Sequence, residues 1–225
     1  MNEQGYAADF WPRLVDEQVR VAIAGKWYLV GCTVATMAPY MYLDVYAFEN
    51  DGLYGLMGLV SWAINYVLFV GLMNKAGYLD QGMKTGIGTY FALCIATGIP
   101  IALALVMLIL PGLYLAMRWL PAFSRAMTTT DGIGNAMRWS WDKTEPVQGS
   151  LARTLIIPVL LYAAGIGLPF AYERYYDLLD WNAYVALALG WNFLVTAAAF
   201  WWTLAGVAAF GCIEGRDRSW EAVFE

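Results

Sequence analysis

The stretch Thr85–Met117 reads TGIGTYFALCIATGIPIALALVMLILPGLYLAM and contains no Asp, Glu, Lys or Arg. As a helix its 33 residues would run about 50 Å, against a bilayer hydrocarbon core of about 30 Å. It is too apolar for a soluble fold and too long for one straight crossing. Four more stretches lack charge: Trp27–Leu43, Gly52–Asn74, Thr154–Tyr172 and Trp181–Ile213. The five together make up more than half of the 225 residues. The chain is 60% hydrophobic and 14% charged, where soluble domains have about 45–50% and about 25%. Mean hydropathy is +0.52. This composition excludes a disordered chain, a nucleic-acid binder and almost any water-soluble domain. It predicts an all-α, polytopic membrane protein.

The basic residues count the crossings. If each stretch crosses once, six Lys/Arg face seven across the membrane, which gives no orientation. If 85–117 crosses twice, turning at Thr97-Gly98-Ile99-Pro100, eleven share one side and only Arg174 lies opposite. Six transmembrane helices are therefore expected, at about 27–46, 53–74, 84–100, 103–123, 152–171 and 184–211, with both ends cytoplasmic. On that plan Asp44, Glu49, Asp51, Glu173, Asp177 and Asp180 lie in outer loops with Arg174, and carry the whole net charge of −5. They read as solvated loop ends, or as a patch attracting cations or a basic partner.

Two amphipathic interfacial helices are expected, at about 9–24 and 131–144. The first carries Trp11, Leu14, Val15, Gln18, Val19 and Ala22 on one face. The second carries Ile133, Ala136, Met137, Ser140 and Trp141, with Asp131 or Thr130 as its cap and Pro146 ending it. It reads as lying flat with Trp139 or Trp141 at the headgroups, or as binding a partner. The first 26 residues do not read as a signal peptide, and Gly215–Glu225 reads as a frayed interfacial helix.

There is no histidine, which excludes His-ligated metals and His acid–base chemistry. Cys32, Cys94 and Cys212 lie far apart and read as small buried residues. No cofactor or metal is expected. Asp177-Leu178-Leu179-Asp180 is a single DxxD, where magnesium–diphosphate chemistry needs two carboxylate clusters. Gly132-Ile133-Gly134 lacks a third glycine and a preceding strand. The candidate in-membrane residues are Arg118, Pro111 and Gly112. Arg118 reads as snorkelling or pairing with Asp142 or Glu145, or as holding a substrate anion or lipid phosphate. Pro111-Gly112 reads as a fixed kink that shapes the bundle. Gly52, Gly55, Gly58, Gly206 and Gly211 read as helix-packing positions. Polar groups inside the spans are few: Thr33, Thr36, Ser61, Asn65, Asn192 and Thr196.

Leu110-Pro111-Gly112-Leu113-Tyr114-Leu115-Ala116-Met117-Arg118-Trp119, followed by Asn135-Ala136-Met137-Arg138-Trp139-Ser140-Trp141, resembles the YciC-like bacterial inner-membrane proteins. It is equally similar to the related membrane domain of some glycerophosphodiester phosphodiesterases, without the catalytic domain. The resemblance covers roughly 105–170 and implies a six-span bacterial inner-membrane protein, concerned with envelope maintenance or membrane-complex assembly. It implies no phosphodiesterase activity.

The leading expectation is a non-enzymatic membrane protein acting through membrane lipids or other membrane-protein subunits. A small transporter or channel-like carrier is the alternative, and a lipid-modifying enzyme comes third. No nucleic-acid partner is expected. The orientation is open to cysteine labelling in intact cells. A cysteine replacing Asn50 or Asp177 is expected to react with an impermeant reagent, and one replacing Lys143 is not; the reverse pattern overturns it.

Overall fold

The computed structural model describes residues 3–47, 50–79, 86–130, 132–175 and 180–224, with side chains except at 3–8, 171, 173, 175 and 216–224. Among these residues every regular element is helical. In order they are α1 (Glu3–Ala24), α2 (Lys26–Tyr46), α3 (Asp51–Lys75), α4 (Ile87–Met107), α5 (Ile109–Arg118), α6 (Ala122–Thr128), α7 (Ile133–Thr144), α8 (Gln148–Tyr175) and α9 (Trp181–Phe224). The chain is a membrane protein of the all-α class. Four runs are long and apolar enough to cross: Asp51–Lys75, Ile87–Met107, Ile133–Phe170 and Trp181–Gly215. A fifth is counted if α1 and α2 act as one broken span. Length and composition thus support four or five crossings, against the six expected.

The difference lies in 85–117. The helix does not turn at Thr97–Pro100; α4 runs through Pro100 to Met107, and the chain reverses at Leu108, whose φ of −156° and ψ of 124° are extended. Helix α5 has 10 residues, about 15 Å, which is half the hydrocarbon thickness. Pro111 is the third residue of α5, where its missing N–H is one that would have no partner within the helix. It therefore starts a helix rather than kinking a span. Gly112 is the contact that folds α5 onto α4, since a Cβ there would sit 2.7 Å from the backbone nitrogen of Leu105. The tip is wholly apolar: Val106, Met107, Leu108, Ile109 and Leu110 are each at least 67% exposed.

The helices sort into two compact units. One comprises Met1–Gly25, Phe69–Leu155 and Leu204–Glu225; the other comprises Lys26–Leu68 and Ile156–Thr203. In the first, α4, α6 and α7 share a core of Leu93, Ala122, Ala126 and Ala136, edged by Trp119 and Phe123. Helix α1 buries Phe10, Leu14, Gln18 and Val21, a stripe rotated from the expected face, while Val15, Val19 and Ile23 stay exposed. Helix α3 ends on Gly77, which has a φ of +78°. The Tyr78 N–H reaches back to the carbonyl of Met73 at 3.0 Å, a left-handed cap that favours glycine. That turn brings the Tyr78 hydroxyl to the Glu17 carboxylate and to Arg20 Nη2. Burial, then the Glu17 hydrogen bond, hold the Tyr78 phenol above its usual pKa, so it stays a donor. Gly211 leaves room for that hydroxyl, which a Cβ would overlap.

Helix α7 ends at a 3-10 turn containing Pro146, as the sequence indicates. Its expected cap Asp131 lies outside the described residues, and Gly132 stands at the N-cap without a side-chain hydrogen bond. Its buried face is Ala136, Ser140 and Thr144, and its tryptophans turn inward rather than to headgroups. Of the packing glycines, Gly206 sits against the Leu120 carbonyl, but Gly55 and Gly58 meet nothing within 4 Å. Helix α9 continues through the tail to Phe224.

These two kinds of glycine separate in a stability measurement. Gly112→Ala is expected to cost about 1–3 kcal/mol, because the Leu105 backbone cannot yield without opening the hairpin. Gly58→Ala is expected to leave thermal unfolding in detergent unchanged or slightly raised.

Candidate functional site

The unit built from Lys26–Leu68 and Ile156–Thr203 forms a partly open cavity of about 410 Å³. Thr36 and Tyr40 of α2 line it, with Ser61, Trp62 and Asn65 of α3, and Asn192, Val195, Thr196, Ala199 and Phe200 of α9. Helical spacing explains the convergence. Residues 36 and 40 lie one turn apart, 61 and 65 do the same, and 192, 196 and 199 follow one face of α9. Five of the six in-span polar residues named above meet here; Thr33 lies off the lining.

The hydrogen bonding is uneven. Thr203 Oγ1 donates to Asn65 Oδ1 at 2.8 Å, tying α9 to α3. Asn192 Nδ2 donates to the carbonyl of Ala188 and to Asp44 Oδ2, at 2.9 and 2.6 Å. Thr36 Oγ1 and Ser61 Oγ are buried with no hydrogen-bond partner, and Thr36 is only 7% exposed. Both residues line the cavity. Serine and threonine in a helix usually return their proton to a backbone carbonyl one turn back, as Thr203 also does to Ala199 at 3.2 Å. A buried hydroxyl without a partner costs about 1–3 kcal/mol.

Next to the cavity sits a residue that the sequence reading assigned to a solvated outer loop. Asp44 belongs to the last turn of α2, one turn beyond Tyr40. Tyr54 of α3 donates to its Oδ1 at 2.6 Å, and Trp191 Nε1 of α9 donates to its Oδ2 at 2.7 Å. The Tyr184 hydroxyl donates to its backbone carbonyl. Every one of these donors is neutral, and Asn192, which lines the cavity, is one of them. Among the described residues the carboxylate thus accepts three hydrogen bonds and forms no ion pair. Of the other expected loop acids, Asp51 begins α3 and Asp180 caps α9 through the Ala183 N–H at 2.8 Å. Glu49, Asp177 and the Glu173 side chain lie outside what is described.

In the other unit, Arg118 ends α5 and is 1% exposed, so it does not snorkel into headgroups. Its guanidinium carbon lies 4.4 Å from the Trp141 ring centroid and 5.9 Å from that of Tyr114. Its carbonyl accepts from Ser140 Oγ at 2.6 Å and Thr144 Oγ1 at 3.4 Å. Asp142 and Glu145, the expected acid partners, are exposed and do not pair with it. The face of Trp141 gives the guanidinium a cation–π contact, while Arg118 Nε and Nη1 are buried with no hydrogen-bond partner among the described residues. Arg125 stacks likewise on Trp139 at 5.1 Å and pairs with Glu214 at 3.6 Å. Pro111 and Gly112 belong to the hairpin and do not line this cavity. Among the described residues no cluster of three metal-ligating side chains occurs. No family model, curated protein or solved structure matches this chain.

Two stability outcomes follow. Asp44→Ala strands the donors of Tyr54, Trp191 and Asn192 and is expected to cost about 2–4 kcal/mol in thermal unfolding. Asp44→Asn, which keeps one acceptor oxygen, should cost less. Arg118→Lys loses the flat stack on Trp141 and is expected to be measurably destabilising. A double-mutant cycle with Trp141→Leu should give a coupling of about 1 kcal/mol; additivity would overturn the stacking role.

Proposed function

We propose that this protein is a non-enzymatic, multi-pass membrane carrier that holds a small solute in the cavity between α2, α3 and α9. One observation carries the reading: five polar side chains from three helices, Thr36, Ser61, Asn65, Asn192 and Thr196, line one shared pocket. Polar groups converging on a cavity from several membrane helices are what solute transport requires. The void, about 410 Å³, falls within the usual range of small-molecule sites. The setting we propose is a bacterial cytoplasmic membrane, with both chain ends inside if 85–117 crosses twice, the one arrangement in which eleven Lys and Arg share a side. The YciC-like resemblance of 105–170 supports the same setting. It speaks to architecture and leaves the solute open.

A second reading, action through lipid or subunit contacts, is favoured by the apolar hairpin tip Val106–Leu110. Such a surface suits acyl chains or another membrane helix. The two readings differ in whether water-borne reagents enter the bundle. In the carrier, Thr36→Cys is expected to be alkylated in native membranes by a small water-soluble maleimide, above the background of Cys32, Cys94 and Cys212. If it stays unreactive while a fixed partner co-purifies in mild detergent, the carrier reading falls and the contact reading stands.

A further inference from the structure

Resting on the carrier reading, we propose that the solute is a small organic cation, an ammonium compound whose charge is held by Asp44 and the aromatic walls of the cavity. Asp44 is the first ground. Its three side-chain partners, Tyr54, Trp191 and Asn192, are all neutral donors, so they stabilise the carboxylate without cancelling its charge. Among the described residues no cation pairs with it, so its negative charge acts on whatever lies nearby. The field reaches the cavity through Asn192, whose amide touches Asp44 and whose side chain forms part of the wall.

The lining is the second ground. Tyr40, Trp62 and Phe200 contribute aromatic rings, whose negative faces attract cations. The polar members are Thr36, Ser61, Asn65, Asn192 and Thr196, all neutral. No Lys or Arg occurs anywhere in 27–43, 52–74 or 181–213, the stretches that supply the walls. An anion would therefore meet no positive partner here and one negative group. A neutral solute would gain nothing from Asp44. An organic cation uses both the aromatic rings and the negative charge. A metal ion fits less well, since the Asp44 oxygens already accept from three donors and no second carboxylate stands beside them.

The test compares three molecules of one shape: choline, its uncharged isostere 3,3-dimethyl-1-butanol, and the anion 3,3-dimethylbutyrate. Each is added to the full chain carrying Thr36→Cys before alkylation, and to the unsubstituted protein in a thermal-unfolding measurement. Choline is expected to protect the thiol and raise the unfolding temperature at concentrations about tenfold below the neutral isostere. The anion is expected to do neither. Trp62→Leu should erase much of that preference, and Asp44→Asn should do so if it folds. Equal protection by choline and the neutral isostere overturns the cation inference and leaves the carrier standing. Protection by the anion alone overturns the inference as well. A Thr36→Cys thiol that is never alkylated overturns the carrier, and the cation with it.

Discussion

Within the unit formed by Lys26–Leu68 and Ile156–Thr203, one carboxylate draws the helices together. Asp44 accepts from Tyr54 on α3 and from Trp191 and Asn192 on α9, so three helices meet on one side chain of α2. In hydrocarbon there is no apolar driving force between helices, and association rests on packing and on such interhelical hydrogen bonds. Each bond contributes about 0.6 kcal/mol on average. The value of the group lies in the asymmetry of its loss, since removing the acceptor strands three donors at once. The same constraint explains why Thr203 reaches Asn65.

The helical architecture was legible because the bilayer writes it in charge. Gaps between Asp, Glu, Lys and Arg marked α2, α3, α4, α8 and α9, and the single long helix from Trp181 came directly from that pattern. The position of the reversal did not. Thr97-Gly98-Ile99-Pro100 looks like a turn by the rules of soluble chains, yet α4 passes through it. Proline inside a membrane helix is tolerated, because neighbouring helices and local adjustments satisfy the carbonyl it frees. The informative proline was Pro111, where a helix beginning at Ile109 has no use for that N–H. Leu-Pro-Gly at 110–112 gives both the start of α5 and the small residue that lets it fold back onto Leu105.

The site was half legible. Five wall residues were named from the sequence as polar groups inside spans, but as a scattered set. Their convergence depends on which faces of α2, α3 and α9 turn inward, and uniformly apolar helices carry little amphipathic signal to fix that. Asp44 was lost because a charge at the end of an apolar run reads as solvation. The counter-signal was the spacing 36, 40, 44 on one face of α2. Its donors Tyr54, Tyr184 and Trp191 were hidden because no motif or spacing in the sequence ties them to Asp44. Arg118 failed in the same direction. It reads first as snorkelling to headgroups, and it lies buried against the ring of Trp141.

The cavity is hard to explain as loose packing. In the same unit α8 meets α9 so closely at Gly165 that a Cβ there would lie 2.7 Å from Val195 Cγ2 and 3.2 Å from the Val195 nitrogen. Val195 is itself part of the cavity wall, so one side of that residue is pressed against backbone while the other faces open volume. A bundle that only had to persist in the membrane would gain twice from leucine at position 36 or 61. The side chain would fill part of the void, and an unsatisfied hydroxyl would disappear. Keeping both hydroxyls and the open volume beside the Asp44 carboxylate is costly for stability alone, and the proposed carrier role would account for that cost.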